Sequence, residues 1–194
     1  MLLLFVSSKG IGQFKFGDQL LGATIDYIDF QGFSPKTAFG ISGEYMLGKH
    51  VGIEASIAAG KDYLHFGPAL FMVPLTLLLS KTKEDENKDK ELLIFLATGL
   101  SFFEQTNYHI HLSSNFELIP FLSILRFRYI YDEYHQHNDD SFVSWSIGTK
   151  LSLLTKNNWY INASIERSQL YYSGVPSGIQ TGIHAGYIFK SKDE

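Results

Sequence analysis

The chain has 194 residues, 16 basic against 20 acidic side chains for a net charge of −4, and no cysteine. That length suits one folded unit, the lack of Cys excludes a disulfide scaffold, a thiolate metal site and a cysteine nucleophile, and the mild negative charge argues against a nucleic-acid binder. Aromatics reach 15% while charged residues are only 19%, below the roughly 25% usual for soluble domains.

Residues 1–13, MLLLFVSSKGIGQ, open with the apolar run Leu2 to Val6 and a small-residue step, Gly10-x-Gly12, ahead of Gln13. They read as the remnant of a secretory leader that lacks its basic start. Residues 14–194 then form a single β-barrel domain. A membrane helix needs about 20 mostly apolar residues. The best candidate, Ala69 to Leu79, is too short and holds Pro74 and Thr76.

Beyond the leader the helix period is nearly absent and alternation dominates. Phe39, Ile41 and Tyr45 alternate with Gly40, Ser42 and Glu44, and Trp159, Ile161, Ala163 and Ile165 alternate with Tyr160, Asn162, Ser164 and Glu166. Turn signals divide the chain into ten strand candidates, near 20–30, 37–47, 51–60, 69–80, 92–103, 107–115, 118–131, 141–154, 158–171 and 178–189. The fold class is a closed antiparallel up-and-down transmembrane β-barrel of ten strands, with eight as the alternative. With the first strand running outward, one end carries the turns 48–50, 81–91, the break near 116, and 155–158. The other carries 31–36, 61–68, 104–106, 132–140 and 172–177. Short turns at one end and longer loops at the other is the outer-membrane pattern.

The polar face selects a membrane barrel over a soluble one. It is built from Gly40, Ser42, Gly52, Ser56, Ser144, Ser146, Gly148, Ser164, Gly182 and Gly186, with few charges between them. Glycine weakens a strand exposed to water, whereas small residues fit a narrow lumen. Aromatic residues gather toward strand ends, as at Tyr27 and Phe30, Phe127 and Tyr129, Trp159, and Tyr187 and Phe189, which fits girdles at two membrane interfaces.

The segments FGISGEYMLGKHVGIEAS, YHIHLSSNFELIPFLSILRFRYIYDE and TGIHAGYIF carry a resemblance to a known group. The chain resembles the small outer-membrane β-barrel proteins of Gram-negative bacteria, a porin-like grouping of roughly 8–10 strands, most without an assigned activity. The resemblance covers roughly residues 20–189. It implies a bacterial outer-membrane location, with membrane lipid and the barrel-assembly machinery as partners. Such barrels commonly end on an aromatic residue. Phe189 fills that role here, but Lys190 to Glu194 follow it.

The inward face gathers a charge network of Glu44, Glu54, Arg126, Arg128, Lys150 and Glu166, with Asp26, His109, His111 and His184 on the same face. A three-residue hairpin at Gly48-Lys49-His50 sets Glu44 opposite Glu54 and Tyr45 opposite Ile53. Opposed carboxylates repel, and Arg126 and Arg128 are the natural neutralisers. The expected role is structural or surface-presenting, with a charge-plugged lumen and no catalysis. One alternative is a narrow passive channel for small polar solutes.

A second alternative is a lipid A-modifying hydrolase. His109, His111 and Ser113 form a polar cluster on one strand face, and imidazole beside hydroxyl can make a base and nucleophile. His111-x-Ser113 is similar to the spacing in some outer-membrane lipid A deacylases, although the rest of that pattern is missing. His135 to Asp140 and the run Lys81 to Glu91 read as solvated connections. No cofactor, metal or nucleic acid is expected, and the barrel is read as a monomer.

Overall fold

In the computed structural model the described residues are 14–67, 104–131, 139–170 and 177–191. They form ten β-segments: β1 (Gln19–Phe30), β2 (Lys36–Met46), β3 (Val51–Gly60), β4 (Tyr63–Phe66), β5 (Gln105–Tyr108), β6 (Ile110–His111), β7 (Phe116–Tyr131), β8 (Asp139–Leu154), β9 (Trp159–Leu170) and β10 (Gly178–Phe189). All pairings are antiparallel and they close into a ring. β1 pairs with both β2 and β10, and the chain of partners runs through β9, β8 and β7 back to β3. Among the described residues every position in the ring is paired on both sides over part of its length.

The wall has eight positions, not ten. β4 and β5 both lie between β3 and β7, β4 beside Ile57–Gly60 and β5 beside Val51–Glu54. β6 continues this composite stave along β7. The eight-strand alternative is therefore the correct one. Three sequence assignments change with it. The expected loop 61–68 contains β4, the expected connection 104–106 opens β5, and the expected strand 107–115 ends at His111. The strands anticipated at 69–80 and 92–103, like the runs 81–91 and 135–138, lie outside the described residues.

The β2–β3 hairpin has the register read from its turn, with Glu44 opposite Glu54 and Tyr45 opposite Ile53. Alternation then sorts the two faces. Ile41, Ile147 and Ile183 are exposed by 63%, 57% and 61%, while Ser144, Ser146 and Ser168 are fully buried. Ile41 and Ile161 stand on the outside, and Trp145 lies on the same outward face. Ile53 also points outward but is only 6% exposed, with Tyr45 and Thr106 as its ladder neighbours.

A bulge decides the aim of the two arginines. On β7, Glu117, Ile119, Phe121 and Ser123 are buried in the lumen, an odd-numbered series. The register shifts between Ser123 and Arg126, after which the even-numbered Arg126, Arg128 and Ile130 are buried instead. Because a one-residue shift flips every following side chain, β7 without this bulge would turn both guanidinium groups toward the outside.

Candidate functional site

The lumen is built in layers. At the end carrying 31–35, Ile28, Phe30, Ala38, Ala58, Tyr63 and Ile130 pack into an apolar cap. At the opposite end, beside the four-residue turns 47–50, 112–115 and 155–158, Phe14, Leu20, Met46, Leu154, Tyr160 and Ile188 form a second cap. The opposed glycines Gly22 and Gly186 leave the slot into which the Tyr160 hydroxyl fits, because a Cβ on Gly22 would collide with it. Between the caps every stave contributes polar side chains.

Two linked groups of ions fill that middle zone. In the first, Arg126 Nη1 donates to both Glu166 oxygens, at 2.7 and 2.9 Å, and its Nε donates to Glu104. Arg128 donates to Glu166 at 2.7 Å, to the Tyr63 hydroxyl at 2.6 Å, to Ser168 at 2.9 Å and to Gln180 at 2.9 Å. Its guanidinium carbon also lies 5.1 Å from the centre of the Phe30 ring, tying the charge layer to the apolar cap. Glu104 accepts from the Ser56 backbone N–H at 2.7 Å and from the Ser56 hydroxyl.

In the second group, Lys150 donates to Glu54, and Asn107 Nδ2 donates to Glu44 and Glu54, both at 2.7 Å. Gln105 bridges the groups, accepting from Arg126 at 3.1 Å and donating to Glu54 at 3.2 Å. His109 stands between two carboxylates, with Glu44 2.9 Å from Nε2 and Glu117 3.0 Å from Nδ1. His111 Nδ1 is 2.6 Å from the other Glu117 oxygen.

The anticipated network residues are all buried here, but the partnership differs from the expected one. Arg126 and Arg128 serve Glu104 and Glu166. The opposed pair Glu44 and Glu54 is served by Asn107, His109 and Lys150, because those side chains come from the staves at its own level. Ser113 is not on the histidine face of a strand. It lies in the 112–115 turn, where its hydroxyl accepts from the Asn115 and Phe116 N–H groups at 3.3 and 3.2 Å.

Sequence reasoning missed Glu104, Gln105, Asn107 and Glu117, and also Tyr63 and His65. The odd-numbered series Gln105, Asn107, His109, His111 is visible in the sequence and could have extended the inward face. Tyr63 and His65 sat inside a presumed loop. A small central cavity remains, lined by Thr24, Asp26, Ser164, Gln180 and His184 among others. Ser164 Oγ is 3.2 Å from His184 Nε2, and Asp26 Oδ1 has no hydrogen-bond partner there. Among the described residues no group of three or more His, Asp or Glu side chains is arranged to hold a metal ion.

Residues 15–18 and 190–191 meet at the four-residue-turn end. Asp18, fully buried just ahead of β1, accepts from the Ser191 N–H at 2.8 Å, the Lys15 N–H at 3.0 Å and the Lys190 ammonium at 3.0 Å. Burial works against its charge, but those three donors outweigh burial and hold its carboxyl below the usual range. Lys190 also lies 4.8 Å over the Phe14 ring, which covers His109 at 4.9 Å. The residues after Phe189 are thus tied to the plug.

No family model matches the chain, and no curated protein matches it. Among solved structures it is similar to the N-terminal β-barrel domain of Pseudomonas aeruginosa OprF, at 11% identity over 91% of this chain and 100% of that one, with a TM-score of 0.56. It is also similar to the attachment invasion locus protein Ail of Yersinia pestis, at 15% identity over 89% and 99%, with a TM-score of 0.46. A third is Pseudomonas aeruginosa OprG, at 14% identity over 93% and 100%, with a TM-score of 0.46. With its ring of eight staves, the chain has the fold of a small outer-membrane β-barrel.

Proposed function

We propose that this chain resides in the bacterial outer membrane as a structural or surface-presenting barrel, its lumen closed by the charge network. One observation carries the reading: the chain is inverted, with arginine, lysine and carboxylates buried and isoleucine, leucine and aromatics exposed. Such an apolar surface is costly in water and suited to hydrocarbon, where only a closed sheet satisfies the backbone. The four-residue turns, with Asp18 and Ser191 beside them, then face the periplasm, and the end carrying 31–35 faces outward. Membrane lipid and the assembly machinery are the partners this reading requires, and the barrel acts as a monomer.

Reconstitution in a planar bilayer tests the closed lumen. Current that stays at baseline is expected. Stepwise conductance would overturn the plug in favour of a passive channel for small polar solutes. Heat-modifiable gel migration of membrane-fraction protein is the expected sign of the folded barrel in its membrane, and a freely soluble protein would overturn the location.

A further inference from the structure

The outward face of the described strands is mostly apolar, and among its few polar positions is one cation. Arg167 lies three residues before the end of β9 and is exposed. Among the described residues it is the one Lys or Arg on the outward face of a strand, since Arg126, Arg128 and Lys150 are buried in the lumen and Lys36 pairs with the buried Ile28. It has no ion-pair partner among those residues. The nearest outward carboxylate in the ladder, Asp29, is two strands away, across Ile179.

Arg167 helps line a shallow, mostly apolar hollow that spans three staves, and the ladder sets it between Ile147 on β8 and Ile179 on β10. Ile165, on β9 below Arg167, and Thr149, beside Ile165 on β8, also line it. An exposed guanidinium beside hydrocarbon is costly unless its head reaches an anion at the interface. A phosphate is the anion that matches its planar donors.

We propose that this hollow docks a phosphorylated, multi-acyl glycolipid of the outer leaflet, its acyl chains against the three isoleucines and its phosphate on Arg167. The proposal rests on the membrane reading above. Ile147 and Ile179 stand two ladder steps apart, roughly 10 Å, wide enough for more than one acyl chain, and a zwitterionic headgroup would bring an ammonium toward Arg167.

Trp145 reports on the site. It lies on the outward face of β8, two residues beyond Ile147 toward the outer end, opposite Gln169. The chain has two tryptophans, so Trp159→Phe leaves Trp145 as the only one, read by excitation beyond the tyrosine band. In vesicles of phosphatidylcholine with brominated acyl chains, Trp145 is quenched. Added unbrominated lipid A relieves the quenching by displacing the brominated chains. Arg167→Gln raises the lipid A needed for half relief about ten-fold, the loss of one charge-assisted contact, and Arg167→Lys recovers part of it.

Equal relief in Arg167→Gln and the parent overturns the site. Equal relief by phosphatidylglycerol overturns the glycolipid as its occupant. Absence of quenching by brominated phosphatidylcholine overturns the membrane reading itself, and the site with it.

Discussion

Glu44 and Glu54 face each other directly across the β2–β3 ladder, and one amide, Asn107 Nδ2, donates to both at 2.7 Å. Two carboxylates at that spacing repel unless donors separate them. β5 supplies the donor between them, while the Lys150 ammonium from β8 reaches Glu54 and the His109 ring reaches Glu44. This junction ties the neighbouring staves β2, β3 and β5 to β8 on the far side of β7, so its loss is felt beyond one hairpin.

Asn107→Leu leaves both carboxylates short of a donor in a site closed to water. It should lower stability by about 2–3 kcal/mol, measured by urea unfolding of the refolded barrel in detergent. Asn107→Asp, nearly the same shape with a third negative charge, should cost at least as much. A variant as stable as the parent would mean that the amide is dispensable.

Removing Arg126 strips cationic partners from Glu104 and Glu166 together. Arg126→Met should destabilise by about 3–5 kcal/mol, because an uncompensated buried charge is left behind. Arg126→Met combined with Glu104→Gln should recover part of that loss, because Arg128 still serves Glu166. Strict additivity in this double-mutant cycle would show that the pair is not coupled.

On the outer face the prediction takes the opposite form. Ile41 is 63% exposed, so in a water-soluble barrel Ile41→Arg would be nearly neutral. In a bilayer it should cost about 2–4 kcal/mol if the residue lies near the midplane, less toward an interface. Unfolding of the parent and variant in lipid vesicles decides between these outcomes.

Phe14 is buried against His109 beneath Lys190. Phe14→Ala should lower stability by about 3 kcal/mol through the cavity it leaves. Bilayer current should nevertheless remain at baseline, because the other apolar cap, around Phe30 and Tyr63, is intact. Conductance in this variant would identify Phe14 as the principal barrier.

Acid should release the chain ends. The Asp18 carboxyl is held below its ordinary value of 3.8 by the donors around it. Its stabilisation is therefore complete above that value and lost as pH falls through the lowered one. Hydrogen exchange at Ser191 should speed up in this acid window. Asp18→Asn should expose the tail at all pH values and remove that acid step.

The alternation of Ile41, Ile147 and Ile161 with Ser42, Ser146 and Asn162, together with small residues on the polar side, was enough to establish a barrel turned inside out, because a strand's two faces are set by period two alone. The hairpin at 48–50 likewise fixed Glu44 opposite Glu54, since turn length determines register locally. Ion partners could not be read this way. Whether Arg126 meets Glu54 or Glu166 depends on the stagger of staves far apart in sequence and on the bulge after Ser123, which resets which residues face inward. The composite fourth stave was hidden for a related reason: Tyr63–Phe66 and Gln105–Tyr108 are too short to announce themselves as strands, and only pairing with β3 and β7 makes them one.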